Sequence, residues 1–148
     1  MEIKQIKKSV YAIRLVREEE LIGSLTKMAQ DFKIGFGALS AIGALKDVEL
    51  GYYDLPIKKF HKKVFSEDYE VLSAQGNISW LTNGTPFVHI HAALSGRDYH
   101  VIGGHLFSGK VAVTLEVFVT AFPVQVQKIP NPEIGINVWD LKNCFVSS

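Results

Sequence analysis

Pro86-Phe-Val-His-Ile-His-Ala-Ala-Leu-Ser-Gly-Arg-Asp-Tyr-His-Val-Ile-Gly-Gly-His-Leu106 is the stretch whose reading decides the fold. Two alternating apolar runs flank Ser95-Gly96-Arg97-Asp98, a cluster of turn formers, and together they predict a β-hairpin. Strand side chains alternate between faces, so the two arms can be aligned from the residues alone. With Leu94 opposite His100, Ala92 meets Ile102, Ile90 meets Gly104 and Val88 meets Leu106, a nearly apolar face suited to a core. The other face pairs His89 with His105 and His91 with Gly103, so three imidazoles converge beside a glycine that leaves them room. His100 falls on the core face near the turn and stays outside the group.

Those three rings predict a metal site. Residues two apart on one strand lie about 7 Å apart, and a directly opposed residue lies about 5 Å away. His89, His91 and His105 can therefore reach one ion at Zn–N distances of about 2.0–2.1 Å. Three neutral imidazoles without a thiolate suit zinc, and three protein ligands leave a fourth position open. The competing reading is a polar sheet face that meets solvent or another subunit.

Working outward, Ser9 to Val16 reads as a β-branched first strand with Arg14 inside it. Leu21, Leu25, Met28 and Phe32 recur at helical spacing after Glu18-Glu19-Glu20, which predicts one amphipathic helix over about residues 18–33, stopped by Gly35. Gly35, Gly37 and Gly43 fit neither the P-loop nor the dinucleotide spacing, so they read as a strand passing close to a neighbour. Strands are expected at Asp47 to Tyr53, Lys62 to Ser66 and Tyr69 to Leu81, the last with Gly76 marking a bulge or a close crossing. Val111 to Val124 is the longest apolar run, with Val111, Val113, Leu115, Val117 and Val119 on one face. Pro123, Pro130 and Pro132 then break the chain into an irregular tail, and Ile134 to Leu141 is expected to dock as a last short element. The sum is a single α+β domain over residues 1–148. Its core is a largely antiparallel seven-stranded sheet, flanked by one long helix and short elements. One helix is too little to cover such a sheet, so a trimer is expected to supply the cover.

Composition bounds the function. Apolar residues make up 47% of the 148 and charged ones 21%, with a net charge of +1, as in ordinary globular proteins. A dedicated nucleic-acid binder usually carries a basic stripe; here Lys58, Lys59, Lys62 and Lys63 around His61 read as a solvated strand edge. The lone Cys144 excludes an internal disulfide framework. The first residues lack the apolar core of a signal peptide, and no apolar run approaches the roughly eighteen residues of a membrane span, so a cytoplasmic protein is expected.

Three segments together resemble the plant-and-prokaryote conserved domain (PPC domain, DUF296), of the stand-alone prokaryotic type. They are Tyr69-Glu-Val-Leu-Ser-Ala-Gln-Gly-Asn-Ile-Ser79, His89-Ile-His-Ala-Ala-Leu-Ser-Gly-Arg-Asp98 and Val101-Ile-Gly-Gly-His-Leu106. Ala41-Ile-Gly43 and the strand bearing Glu116 extend the resemblance over roughly residues 9 to 124. The family's usual glycine before the helix is replaced by Arg17-Glu18. The resemblance implies an antiparallel sheet flanked by helices, a homotrimer, and zinc at the histidines matching His89, His91 and His105. In plants the domain follows AT-hook segments and mediates self-association and contact with transcription factors; stand-alone members are labelled DNA-binding by analogy. This chain has no Arg-Gly-Arg-Pro hook. Arg14 and Glu116 also match charged family positions. An ionised Glu in an apolar strand needs a partner, so the two are expected to pair within the subunit or across an interface.

Three functions remain. The first is a non-enzymatic, oligomeric binding or regulatory module with a three-histidine zinc site. The second is a DNA-binding protein with a regulatory role. The third is a zinc hydrolase or lyase, which would need a general base; Asp98 and Glu116 are the nearest candidates by sequence. No Ser-His-Asp or Cys-His arrangement stands out.

Overall fold

The long strands set the architecture. A computed structural model describes residues 1–146. Its elements are β1 (Glu2–Lys7), β2 (Val10–Val16), α1 (Leu21–Asp31), β3 (Phe36–Asp54), β4 (Lys59–Phe65), β5 (Tyr69–Leu81), β6 (Pro86–Ser95), β7 (Val101–Phe122), β8 (Val124–Gln125), β9 (Gln127–Asn131), β10 (Ile136–Trp139) and β11 (Phe145–Val146). Nine strands form one mixed sheet, and β8 pairs with β11 in a separate ribbon. Every pairing is antiparallel except β5 with β9. More strands are present than the seven expected, because the proline-bearing tail adds a β9–β10 hairpin and the N-terminus adds β1.

β3 pairs with β5 and β7, and β6 also pairs with β5 and β7, so these four strands form a closed circuit. Two of them are long, 19 residues in β3 and 22 in β7, enough for a twisted strand to bend around the core and serve two neighbours. Leu45, Val48, Ile78, Ile90, Leu94, Val111 and Leu115 are fully buried in one cluster, which Leu21, Leu25 and Met28 of α1 complete. Within one subunit much of the core face is therefore covered from inside the chain. The sheet curls and covers itself.

The helix is shorter than the 18–33 expected. Glu18 takes a left-handed φ of 71°, and Glu20 stays extended as the N-cap, so the chain enters the helix only at Leu21. The Glu20 carboxylate accepts hydrogen bonds from the backbone N–H of Ile22 (3.2 Å), Gly23 (2.6 Å) and Gly109 (3.3 Å). It thereby ties α1 to β7. Glu20→Ala is expected to cost about 1–2 kcal/mol in urea denaturation, at the upper end for a cap because a strand N–H is orphaned too. At the other end Lys33, not Gly35, takes the left-handed conformation (φ 51°). Gly35 serves close packing instead, since a Cβ there would stand 2.8 Å from the Val124 carbonyl oxygen.

The central hairpin forms, with one correction. Leu94 pairs with Ile102, Ala92 with Gly104 and His91 with His105, a shift of two residues from the expected register. The loop runs over residues 96–100, because Tyr99 adopts a φ of 63° and the Asp98 carboxylate holds both the backbone N–H (3.1 Å) and the ring (2.9 Å) of His100. His100 is therefore an exposed loop residue and not part of the core face. A shift of two leaves every side chain on its expected face. In β7 the apolar alternation breaks at a register irregularity opposite Gly43–Leu45, which buries Ala112 and turns Val113 outward. Among the described residues no helix is long and apolar enough to cross a membrane.

Candidate metal centre

The outward face of β6 and β7 carries the three histidines. His91 stands opposite His105 across the two strands, and His89 lies two residues back on β6. One ring nitrogen from each can be chosen so that all three lie within 4.8 Å of one another. The ring centroids are 4.9–5.4 Å apart. The structure thus brings together all three residues singled out from the sequence. The pairing differs from expectation: His105 faces His91, and Gly103 faces Ala93.

The surroundings explain why the rings are held there. Phe107 packs against His105 at 4.5 Å and Phe60 of β4 does so at 5.0 Å, while Phe60 and Phe107 meet edge-on at 4.9 Å. Gly51, opposite His105 on β3, makes this stack possible, because a Cβ there would lie 2.5 Å from the Phe107 ring. On the other flank Phe87 neighbours His89. Asn77 pairs with His89 across β5 and β6, and its Oδ1 is buried without a hydrogen-bond partner. An acceptor beside a ligating imidazole is the kind of group that receives the second ring N–H.

The three histidines with Gly51, Phe60, Phe87 and Phe107 line a groove of about 650 Å³ that also reaches Tyr53, Lys128 and Ile136. Burial pushes the His89 imidazole down to about 4, aided by the Lys128 charge and the neighbouring rings. Burial likewise lowers His105 to about 4, followed by the effects of His91 and Lys128. Both rings are therefore neutral near pH 7, the form that ligates. Three convergent imidazoles fit a divalent borderline ion such as zinc, with room for a fourth ligand.

Several residues lie elsewhere. Among the described residues, no Asp or Glu lines the groove. Asp98 is in the hairpin loop, and Glu116 is exposed on the other half of β7. Arg14 stands directly opposite Glu116 in the β2–β7 register, and its guanidinium donates to Glu2 at 2.5 Å. The β4 lysines form an exposed edge, where Lys62 meets Glu49 (3.1 Å) and His61 meets Asp54 (3.1 Å). Lys128, Phe60, Phe87 and Phe107 went unnoticed in the sequence. The two phenylalanines beside the histidines share their strand parity, which was the available signal; Lys128 and Phe60 come from distant segments that carry none.

Comparison with known proteins follows the same lines. The model of the Plants and Prokaryotes Conserved (PCC) domain matches residues 4–123. A metal-containing protein from Archaeoglobus fulgidus is similar in structure at 33% identity, with a TM-score of 0.83 over 93% of this chain and 94% of that one. A candidate DNA-binding protein from Bacteroides thetaiotaomicron matches at 25% identity and a TM-score of 0.91, covering 96% and 98% of the two chains. A plant- and prokaryote-conserved (PPC) protein from Pyrococcus horikoshii matches at 27% identity and a TM-score of 0.83, over 94% and 93%. None of the curated proteins compared with the chain matches it.

Proposed function

The chain belongs to the Plants and Prokaryotes Conserved domain family, and from that premise we propose that it is a homotrimeric, non-enzymatic binding module with a regulatory role, holding zinc on His89, His91 and His105. The observation that carries this reading is the convergence of three imidazoles within 4.8 Å, in a groove that no carboxylate lines among the described residues. A metal-containing relative at 33% identity supports it. Without an acid near the open ligand position, the groove offers no general base for a zinc hydrolase or lyase, which favours binding over catalysis.

Self-association is supported by apolar side chains turned outward along β3 and β7, Ile42 (58% exposed), Val113 (69%) and Phe118 (54%). Arg14 and Glu116 lie on this part of the surface, and the two are proposed to pair when a neighbouring subunit covers it, Arg14 being paired with Glu2 in the single chain. DNA binding is the second reading, favoured by the similarity to a candidate DNA-binding protein and by the lysine edge of β4. Light scattering tests the assembly: a mass of about 50 kDa is expected, three times the 16.5 kDa chain, and Val113→Asp should lower it. A wild-type mass of 16.5 kDa would remove the trimer. Titration of a duplex at two salt concentrations tests the second reading, because phosphate contacts impose a steep fall of affinity with salt.

A further inference from the structure

Lys128 is the unusual charge in this molecule. It sits on β9, only 7% exposed, with its ammonium 4.7 Å from the centre of the Phe87 ring. Among the described residues no hydrogen bond or ion pair holds that ammonium, and no Asp or Glu lines the groove it borders. The stem is buried while the ammonium opens onto the groove without a protein partner, so an anionic guest would pair with it there. A divalent ion held by the three imidazoles would add two further positive charges, and among the described residues no carboxylate lines the groove to balance them. Both features ask for an anion from outside.

We propose that the groove binds a small organic carboxylate with an aromatic body, its carboxylate between the Lys128 ammonium and the three histidines and its ring against Phe60, Phe87 and Phe107. The inference rests on the zinc reading of the same histidines for two of the three positive charges, and on Lys128 for the third. A carboxylate fits better than a phosphate. Phosphate sites gather several N–H donors, an arginine or a helix N-terminus, whereas Lys128 is the only lysine or arginine lining this groove among the described residues. Lys62, which lies over Phe107 at 3.6 Å, is already paired with Glu49. Five aromatic rings, Tyr52, Tyr53, Phe60, Phe87 and Phe107, make up much of the remaining wall, and its volume is that of an ordinary small-molecule site.

Calorimetric titration of the full chain loaded with one equivalent of zinc tests this, with benzoate, its uncharged analogue benzamide, and inorganic phosphate as probes. Benzoate should bind saturably and benzamide at least about tenfold more weakly, the size of a lost charge-assisted contact. Lys128→Met should weaken benzoate by about tenfold with zinc content unchanged, and Lys128→Arg should stay within about threefold of wild type. Equal affinity for benzamide, an unaltered benzoate affinity in Lys128→Met, or tighter binding of phosphate would each overturn the assignment. Should the wild type take up no zinc, the metal reading falls separately. The benzoate–benzamide and Lys128→Arg comparisons, made on that metal-free protein, then decide whether Lys128 alone selects a carboxylate.

Discussion

His89→Ala combined with His91→Ala is expected to reduce bound zinc from about one ion per chain to below about 0.1 by elemental analysis, because one remaining imidazole cannot hold the ion. His105 would survive on β7 with its aromatic packing against Phe60 and Phe107 intact, so the fold should persist while the metal is lost. Unchanged stoichiometry in the double variant would defeat the zinc assignment. Acid adds a second signature in the metal-free protein. His89 and His105 titrate near 4 when folded, below the ordinary value of 6.5, with burial the main cause. Between about pH 6.5 and 4 the unfolded chain takes up protons that the folded chain refuses. Stability is therefore full above 6.5 and declines as pH falls through that window. A variant with His89→Gln and His105→Gln lacks both groups. The difference in unfolding free energy between wild type and this variant should shrink on acidification, and a flat difference would contradict the burial argument.

The centre was legible because strand parity is robust. Misplacing the hairpin register by two residues changed which histidine faces which, yet left His89, His91 and His105 on one side. A one-residue error would have scattered them. The register itself was hidden by Tyr99, whose left-handed conformation lengthens the loop and which no local rule assigns to a tyrosine. Closure of the sheet was hidden for a different reason. It depends on β3 pairing with β5 and β7 across long separations in the chain, and periodicity within one segment carries no information about partners. The same holds for Lys128, which reaches the groove from a proline-bearing tail that read as irregular. The helix was recognisable from Leu21, Leu25 and Met28, but its start was set by Glu18 leaving helical space, a tertiary effect of the contact between Glu20 and β7.

Gly76→Ala is expected to be among the most damaging single substitutions, destabilising the protein by about 3 kcal/mol or more in urea denaturation. Gly76 lies in β5 between Leu39 of β3 and Ile90 of β6, inside the closed circuit. A Cβ built there would stand 2.1 Å from the His89 carbonyl oxygen and 2.9 Å from Ile90 Cγ1. The obstacle at the shorter distance is backbone, which cannot rotate aside, so β5 and β6 would have to separate. Two further ladders hold them in place, since β5 is also paired with β3 and β6 with β7. The residue that would be pushed is His89, so zinc affinity should fall together with stability, although no ligand side chain has been altered. Gly109→Ala supplies the contrast. That glycine is more buried than Gly76, but its added methyl would meet only Leu45 and Val48 side chains at 3.5 and 3.6 Å, ordinary contact distances. Its effect should lie within about 1 kcal/mol of zero, since a methyl there also restricts the unfolded chain. Equal urea midpoints for Gly76→Ala and wild type would show that β5 and β6 can part without cost, and the rigid platform assumed beneath the histidines would then not exist.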